Sequence, residues 1–393
     1  MILLLNDMQA SHSIATKPSA ATSNQAWLSS ARWDILFIIS PAFISSVVAL
    51  AFRNEFASMQ SVPLWAWVCL VLLVDVAHVY ATLFRTYFHS NALEKNKGLL
   101  LAVPALCWVV GSLLYSLGEL FFWRVLAYLA VFHFIRQQYG FVVLYSRKDP
   151  PAFNKLRWLD CACVYMATIY PMLFWHTHMP RNFSWFVSGD FIETMPGMCA
   201  DVSGIIYGAV GLAYIAKEIS LFRTTGFFNV PRNLLIIGTA SSWWIGIVML
   251  NSDMAFTMTN VLSHGIPYMA LVWLYHRTAQ GSAGVSPSPG SAGAPPASRS
   301  RAPLLKMQTR VLSNVFLFVV FLAVLAYLEE GFWDGLIWRE HLQFFMPFSI
   351  LPTINDSAIL AILVPLLALP QSTHYVLDGF IWRVKDKKSV WTA

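Results

Sequence analysis

Charge is what this sequence has least of. Of its 393 residues, 12% are Asp, Glu, Lys or Arg, against roughly 25% in an average soluble domain. With 57% hydrophobic and 15% aromatic residues beside that scarcity, a soluble globular chain is excluded, because too little polar surface remains to cover so much apolar volume. Cysteine is scarce too. Cys69, Cys107, Cys161 and Cys163 fall inside apolar runs and Cys199 alone falls in a predicted external loop, which excludes a disulfide framework. The "CAC" pair, Cys161 and Cys163, points to different helix faces and reads as structural. No basic stripe accompanies the net charge of +6, so nucleic acid is not an expected partner. No glycine-rich nucleotide motif stands out, and no basic region precedes the short apolar patch near Met1, as a signal peptide requires.

Long apolar runs are what is present. Ten windows are of the length that a bilayer core asks of a helix, ~20 residues: 33–52, 63–87, 99–119, 122–146, 158–178, 203–222, 233–251, 253–276, 308–328 and 357–383. They are too long and too continuous for barrel strands. The expected fold is all-α, a polytopic transmembrane helix bundle of about ten spans in the cell's inner membrane. Basic residues test the count independently, since cytoplasmic loops collect them. With the amino terminus inside, 21 of the 26 fall on the cytoplasmic side, while Arg53, Arg124, Arg181 and Arg339 fall outside and Arg136 falls within a span. Both termini are then cytoplasmic. The expected organisation is a disordered tail over 1–31, an eight-span bundle over 32–278, a flexible Gly/Ser/Pro linker over 279–304 and a two-span segment over 305–393. In that last segment 329–351 reads as an external interfacial stretch and the end as a basic cytoplasmic tail.

Four of the ten histidines lie deep within windows: His78 in "DVAHVYATLF", His133 in "FHFIRQQYG", His264 in "NVLSHGIPYM" and His374 in "QSTHYVLDG". Their windows are the second, fourth, eighth and tenth, so the four helices run in one direction. Each lies 9 to 13 residues before its window's end, a depth of roughly 14–20 Å at about 1.5 Å per residue. The four imidazoles therefore share one layer. Asp75 stands three residues before His78, Asp378 four after His374 and Arg136 three after His133, spacings that keep each pair on one helix face.

Ionisable groups at that depth usually mark function, and imidazoles from four helices of a bundle suit a metal. His78, His133, His264 and His374 are the candidate ligands. Asp75 and Asp378 are candidates to ligate or to orient imidazoles, and Arg136 to neutralise an acid group. With no sulfur donor at the same depth, a hard or borderline metal is favoured, non-haem iron first. A lone intramembrane histidine often serves only as an interhelical hydrogen-bonding group, so the case rests on the set of four. His176 and His178 sit at the external end of the fifth window and fit aromatic-belt chemistry, while His12, His89, His276 and His341 read as tail, loop or headgroup-level residues.

The clustered HxxxH and HxxHH boxes of membrane desaturases are absent. One dispersed histidine per helix, at 78, 133, 264 and 374, resembles the Brp/Blh type of membrane carotenoid-cleaving oxygenase, and that architectural resemblance implies oxygen chemistry on a lipid. The expected function is a metal-dependent membrane oxidoreductase acting on a hydrophobic small molecule, with membrane lipid around it and an external electron-donor protein as partner. Two other classes fit the same residues: a proton-coupled transporter using the Asp/His/Arg set, and a haem-binding electron carrier with two axial histidines.

Overall fold

In an apolar solvent the backbone must close its hydrogen bonds within each segment, and helix is the outcome along this chain. The computed structural model describes residues 25–59, 61–283 and 302–382; it is 80% helical and has no strand among the described residues. Most of the expected amino-terminal tail, most of the linker and the basic carboxyl tail lie outside them.

The helices are α1 (Ala31–Ala51), α2 (Leu64–Phe84), α3 (Lys97–Leu117), α4 (Glu119–Tyr145), α5 (Arg157–Thr177) and α6 (Met198–Thr225). They continue with α7 (Val230–Trp243, carried on by a wider turn over Trp244–Met249), α8 (Asp253–Ala283), α9 (Ala302–Ser313), α10 (Val315–Trp338), α11 (Ser357–Leu367) and α12 (Leu369–Ile381). Every sequence window is occupied by helix. Five of them, α1, α2, α3, α6 and α10, are long and apolar enough to cross a membrane, and α11 with α12 makes a sixth if that pair, bent by 45°, is one span.

The two sets of helices differ for a physical reason. Outer helices present apolar side chains to their surroundings, as Ile205 at 74% exposure and Leu212 at 71% do on α6. Inner ones spend positions on buried polar groups: His133 and Gln138 on α4, Asp160 on α5, Arg232 and Asn233 on α7, Asn260, Ser263 and His264 on α8. Those substitutions lower the hydropathy of the helices that hold the interior together.

The ends of the bundle sort by chain order. At one end the segment from Gln25 meets the turn before α7, with Gln25 Nε2 donating to Phe228 O at 2.8 Å. Arg147 donates to Ala26 O there, and Arg85 stacks on Tyr275 and Trp382. At the other end Arg181 donates to Leu250 O and Ser252 to Phe56 O, both at 2.8 Å. The carboxyl ends of α2, α4, α8 and α12 thus gather together, and these four helices run parallel.

Three placements differ from the sequence reading. The ninth window holds a break, because Asn314 caps α10 by accepting from Phe316 N–H at 2.8 Å. Glu329 and Glu330 do not end that helix; α10 runs on to Trp338, and Glu329 is buried with Gln371 Nε2 donating to its Oε1. Lys217 and Arg232, counted from sequence as loop charges, are buried instead. Arg232 pairs with Asp149, Asp160 and Glu218, and Lys217 with Asp160 and Glu218. The network ties α5, α6 and α7 to the loop after α4.

Because Arg232 is wholly buried among three carboxylates, Arg232→Met should destabilise the protein by about 3–5 kcal/mol, the cost of leaving buried charges without their partner. Thermal unfolding in detergent would measure it. A melting temperature equal to wild type would mean that the network is not held by this arginine.

Candidate metal centre

His78, His133, His264 and His374 are 1%, 3%, 0% and 1% exposed, and one nitrogen from each lies within 4.8 Å of the others. The rings form a closed square. Its sides, measured between centroids, are 4.7 Å from His78 to His264, 5.0 Å on to His133, 4.4 Å to His374 and 5.0 Å back to His78. Neighbouring rings cross at 63–89°, so they meet by edges and nitrogens rather than by stacked faces.

Local sequence explains how four helices bring them so close. Gly265 lets α8 lie against α2: a Cβ at that position would come within 2.7 Å of Val74 Cγ1 and 3.0 Å of Val74 O. The wide turns of α2 over Trp67–Val76 end just before His78, and such widened stretches re-aim the residues that follow. On α8, Pro267 has no N–H for the carbonyl four residues back, at Ser263. Gln138 Nε2 donates to that oxygen at 3.3 Å, and Gln137 Nε2 to His264 O at 2.9 Å. The glutamines of "FHFIRQQYG" therefore join α4 to the backbone of α8 beside His133 and His264, and Thr239 Oγ1 on α7 donates to Gln138 Oε1 at 3.1 Å.

One turn beyond each histidine stands a polar residue: Thr82, Gln137, Tyr268 and Asp378, each at the fourth position after its imidazole. In parallel helices these residues form a second layer beneath the first. Tyr268 donates its hydroxyl to Asp378 Oδ1 at 2.7 Å. It therefore accepts from Thr82 Oγ1, 2.8 Å away, and Thr82 in turn accepts from His374 Nδ1 at 2.6 Å. Read in this direction the chain fixes the proton of His374 on Nδ1 and leaves Nε2 as a lone pair. The Nδ1 of His78 lies 3.2 Å from Val74 O, and a carbonyl only accepts, so its Nε2 likewise carries a lone pair, which lies at hydrogen-bond distance from His264 Nε2.

Two of the inward nitrogens have no partner, and the other two meet each other. Nε2 of His133 and of His374 has no hydrogen-bond partner, and His264 Nε2 lies 3.1 Å from His78 Nε2. Metal–nitrogen bonds of ~2.0–2.1 Å in tetrahedral geometry place neighbouring nitrogens about 3.3 Å apart. The donor set is neutral nitrogen, which suits Fe, Cu, Zn or Ni. Phe134 stacks on His264 at 3.5 Å, and Tyr375 lies 5.0 Å from His133.

Asp378 stands between two imidazoles, Oδ2 3.7 Å from His133 Nδ1 and Oδ1 3.8 Å from His374 Nδ1. Asp75 Oδ1 is 3.8 Å from His78 Nδ1. Both carboxylates flank the rings on the side away from the shared centre. Arg136 is elsewhere. It lies on the exposed stripe of α4, donates to Tyr165 OH at 2.9 Å and stacks on Tyr139, because the third position after His133 is turned about 60° from it around the helix. His176 is satisfied at both nitrogens, by Met172 O at 2.6 Å and Tyr128 OH at 2.7 Å. Thr82 and Glu329 were not singled out from sequence, and Gln137 and Gln138 stood out there as polar residues in an apolar run without a role, although Thr82 and Gln137 carry a usable signal in their four-residue spacing from a histidine.

Comparisons with protein families, with curated proteins and with solved structures found no match for this chain.

If the second layer orients the imidazoles, Thr82→Val, which keeps the shape and removes the hydroxyl, should weaken metal binding by ~10–100-fold while the protein inserts normally. Gly265→Ala should do the same by forcing α8 from α2. Metal titration of purified protein reads both, and unchanged affinity in the two variants would mean that neither contact positions the rings.

Proposed function

We propose that this protein is an integral membrane metalloprotein in which His78, His133, His264 and His374 together hold one transition-metal ion, non-haem iron by preference, and that it is an oxidoreductase for a lipid-soluble substrate. The observation that carries this reading is the convergence of four buried imidazoles from four parallel helices, with the Nε2 atoms of His133 and His374 lacking any other partner. A buried polar atom without a partner costs ~1–3 kcal/mol, and a shared cation is the occupant that satisfies several such lone pairs at once.

Bound there, iron would supply one-electron redox chemistry and the activation of dioxygen. The chain's own groups do the rest. Thr82, Tyr268 and Asp378 keep His374 in the tautomer that ligates, Asp378 and Asp75 balance charge beside the imidazoles, and Phe134 and Tyr375 wall the centre with aromatic surface that excludes water. Apolar outer faces favour a substrate that arrives from the bilayer, and any electrons would come from a separate donor protein. Ten membrane spans with both termini on the basic side fit the grouping of loop ends and the distribution of Lys and Arg. The haem alternative is less favoured, because a porphyrin between any two of these rings would have to occupy the space that the other two fill, with neighbouring centroids only 4.4–5.0 Å apart.

Purified protein should contain near-stoichiometric metal without a Soret band. His78→Ala, His133→Ala, His264→Ala and His374→Ala should each lose it while still reaching the membrane, whereas His176→Ala should retain it. Full metal content in all four ligand variants would make the polar layer interhelical glue and end the oxidoreductase reading.

A further inference from the structure

A second group of ionisable side chains lies on the other side of the imidazoles from the Thr82–Tyr268–Asp378 layer. Asp75 stands three residues before His78 on α2, and Glu329, Glu330 and Asp334 follow one another on α10. Glu330 and Asp334 are four residues apart and share a face. Glu330 is near enough to Glu329, Asp75 and Asp334 to feel their charge, and Glu329 is near enough to feel that of Asp75. Among the described residues no lysine or arginine forms an ion pair with any of them. Carboxylates without a cation are costly in so apolar a setting.

Two observations point to a ligand. Asp334, 4% exposed, accepts the backbone N–H groups of Glu340 and His341 on Oδ1 at 2.8 and 2.7 Å, and its Oδ2 has no partner; Glu329, 6% exposed, accepts from Gln371 and has Tyr80 and Trp333 beside its carboxyl. Asp75, although deep in the bundle, keeps 36% of its side chain accessible, so it borders open space beside His78. The segment after α10 covers this end, with His341 and Phe345 packed on Trp67 at the start of α2.

We infer that Asp334, Glu330, Glu329 and Asp75 form an inlet that attracts a divalent transition-metal ion beneath the 339–351 segment and passes it to His78 and its three partner imidazoles. This rests on the metal-centre reading and adds the route by which the ion arrives. The residues suit transit rather than residence. Glu330 lies one helical turn before Asp334 and within electrostatic reach of Asp75, among the described residues the carboxylates do not converge as the four histidines do, and nitrogen donors at the end of the path hold such a metal more firmly than carboxylates. Negative charge lining a low-dielectric passage raises the local concentration of a cation and its rate of capture.

The test is the rate at which metal-free full-length protein, stripped by chelator in detergent, takes up Co²⁺, followed by the absorption of the bound ion, together with its final stoichiometry. Glu330→Gln and Asp334→Asn should slow uptake about tenfold and reach the wild-type endpoint, while Glu330→Asp, which keeps the charge, should load at close to the wild-type rate. His264→Ala should lower the endpoint, which separates failure of the centre from failure of the inlet. Unchanged rates in both neutral variants would overturn the proposal. A lowered endpoint with an unchanged rate would also overturn it, since the carboxylates would then be resident ligands. Wild-type protein that takes up no Co²⁺ would remove both the inlet and the centre it serves.

Discussion

With Asp378 ionised, the hydrogen-bond chain from His374 through Thr82 and Tyr268 to Asp378 points in one direction. A carboxylate accepts, so the phenol must give its proton to it; the threonine must then give to the phenol, and the imidazole to the threonine. That polarity turns the free lone pair of His374 toward the other three rings. It also requires three helices, α2, α8 and α12, to stand at fixed heights, because each link crosses a helix boundary at 2.6–2.8 Å. Much of the interior follows from meeting this demand.

Height and direction are set by backbone chemistry as much as by packing. Pro267 frees a carbonyl on α8, and Gln138 reaches from α4 to take it. That one pairing resolves an unsatisfied acceptor, which in an apolar interior is expensive, and also fixes His133 relative to His264. Gly265 removes the side chain that would hold α8 away from α2. The ion-pair network of Arg232 and Lys217 clamps α5, α6 and α7 near one end, leaving the middle of the bundle to the histidines. Both polar networks link side chains across several helices, where the low dielectric strengthens each bond.

Much of this was legible in the sequence, for a simple reason. Apolar length reports helices directly, and a histidine in the middle of such a run is conspicuous because so few ionisable residues accompany it. Similar distances from window ends then place His78, His133, His264 and His374 in one layer, and the structure brings them together. Side-chain rotation around the helix was harder to read. Arg136 is only three residues from His133, yet it falls on the exposed stripe, since a helix in contact with several neighbours has a narrow free face. Glu329 and Glu330 looked like the polar end of a span because adjacent charges usually are; burial beside Gln371 is a tertiary fact that no window contains. Lys217 and Arg232 misled for the same reason, each being buried only because carboxylates from other helices meet it.

The four-residue spacing that generates the second layer also gives the centre two unlike sides. Toward the gathered carboxyl ends, each imidazole is backed by a neutral or hydrogen-bonded group, Thr82, Gln137, Tyr268 or Asp378, and this side is closed. Toward the opposite end, the position three residues before His78 is Asp75, partly accessible, with the acidic face of α10 beyond it. A cation approaching the imidazoles from the closed side would have to break the relay that holds His374 in its ligating form. An approach past Asp75 leaves that relay intact and meets negative charge along the way. The asymmetry follows from parallel helices carrying different residues one turn above and one turn below the same layer, so in the proposed reading the side that orients the imidazoles is not the side that would admit an ion.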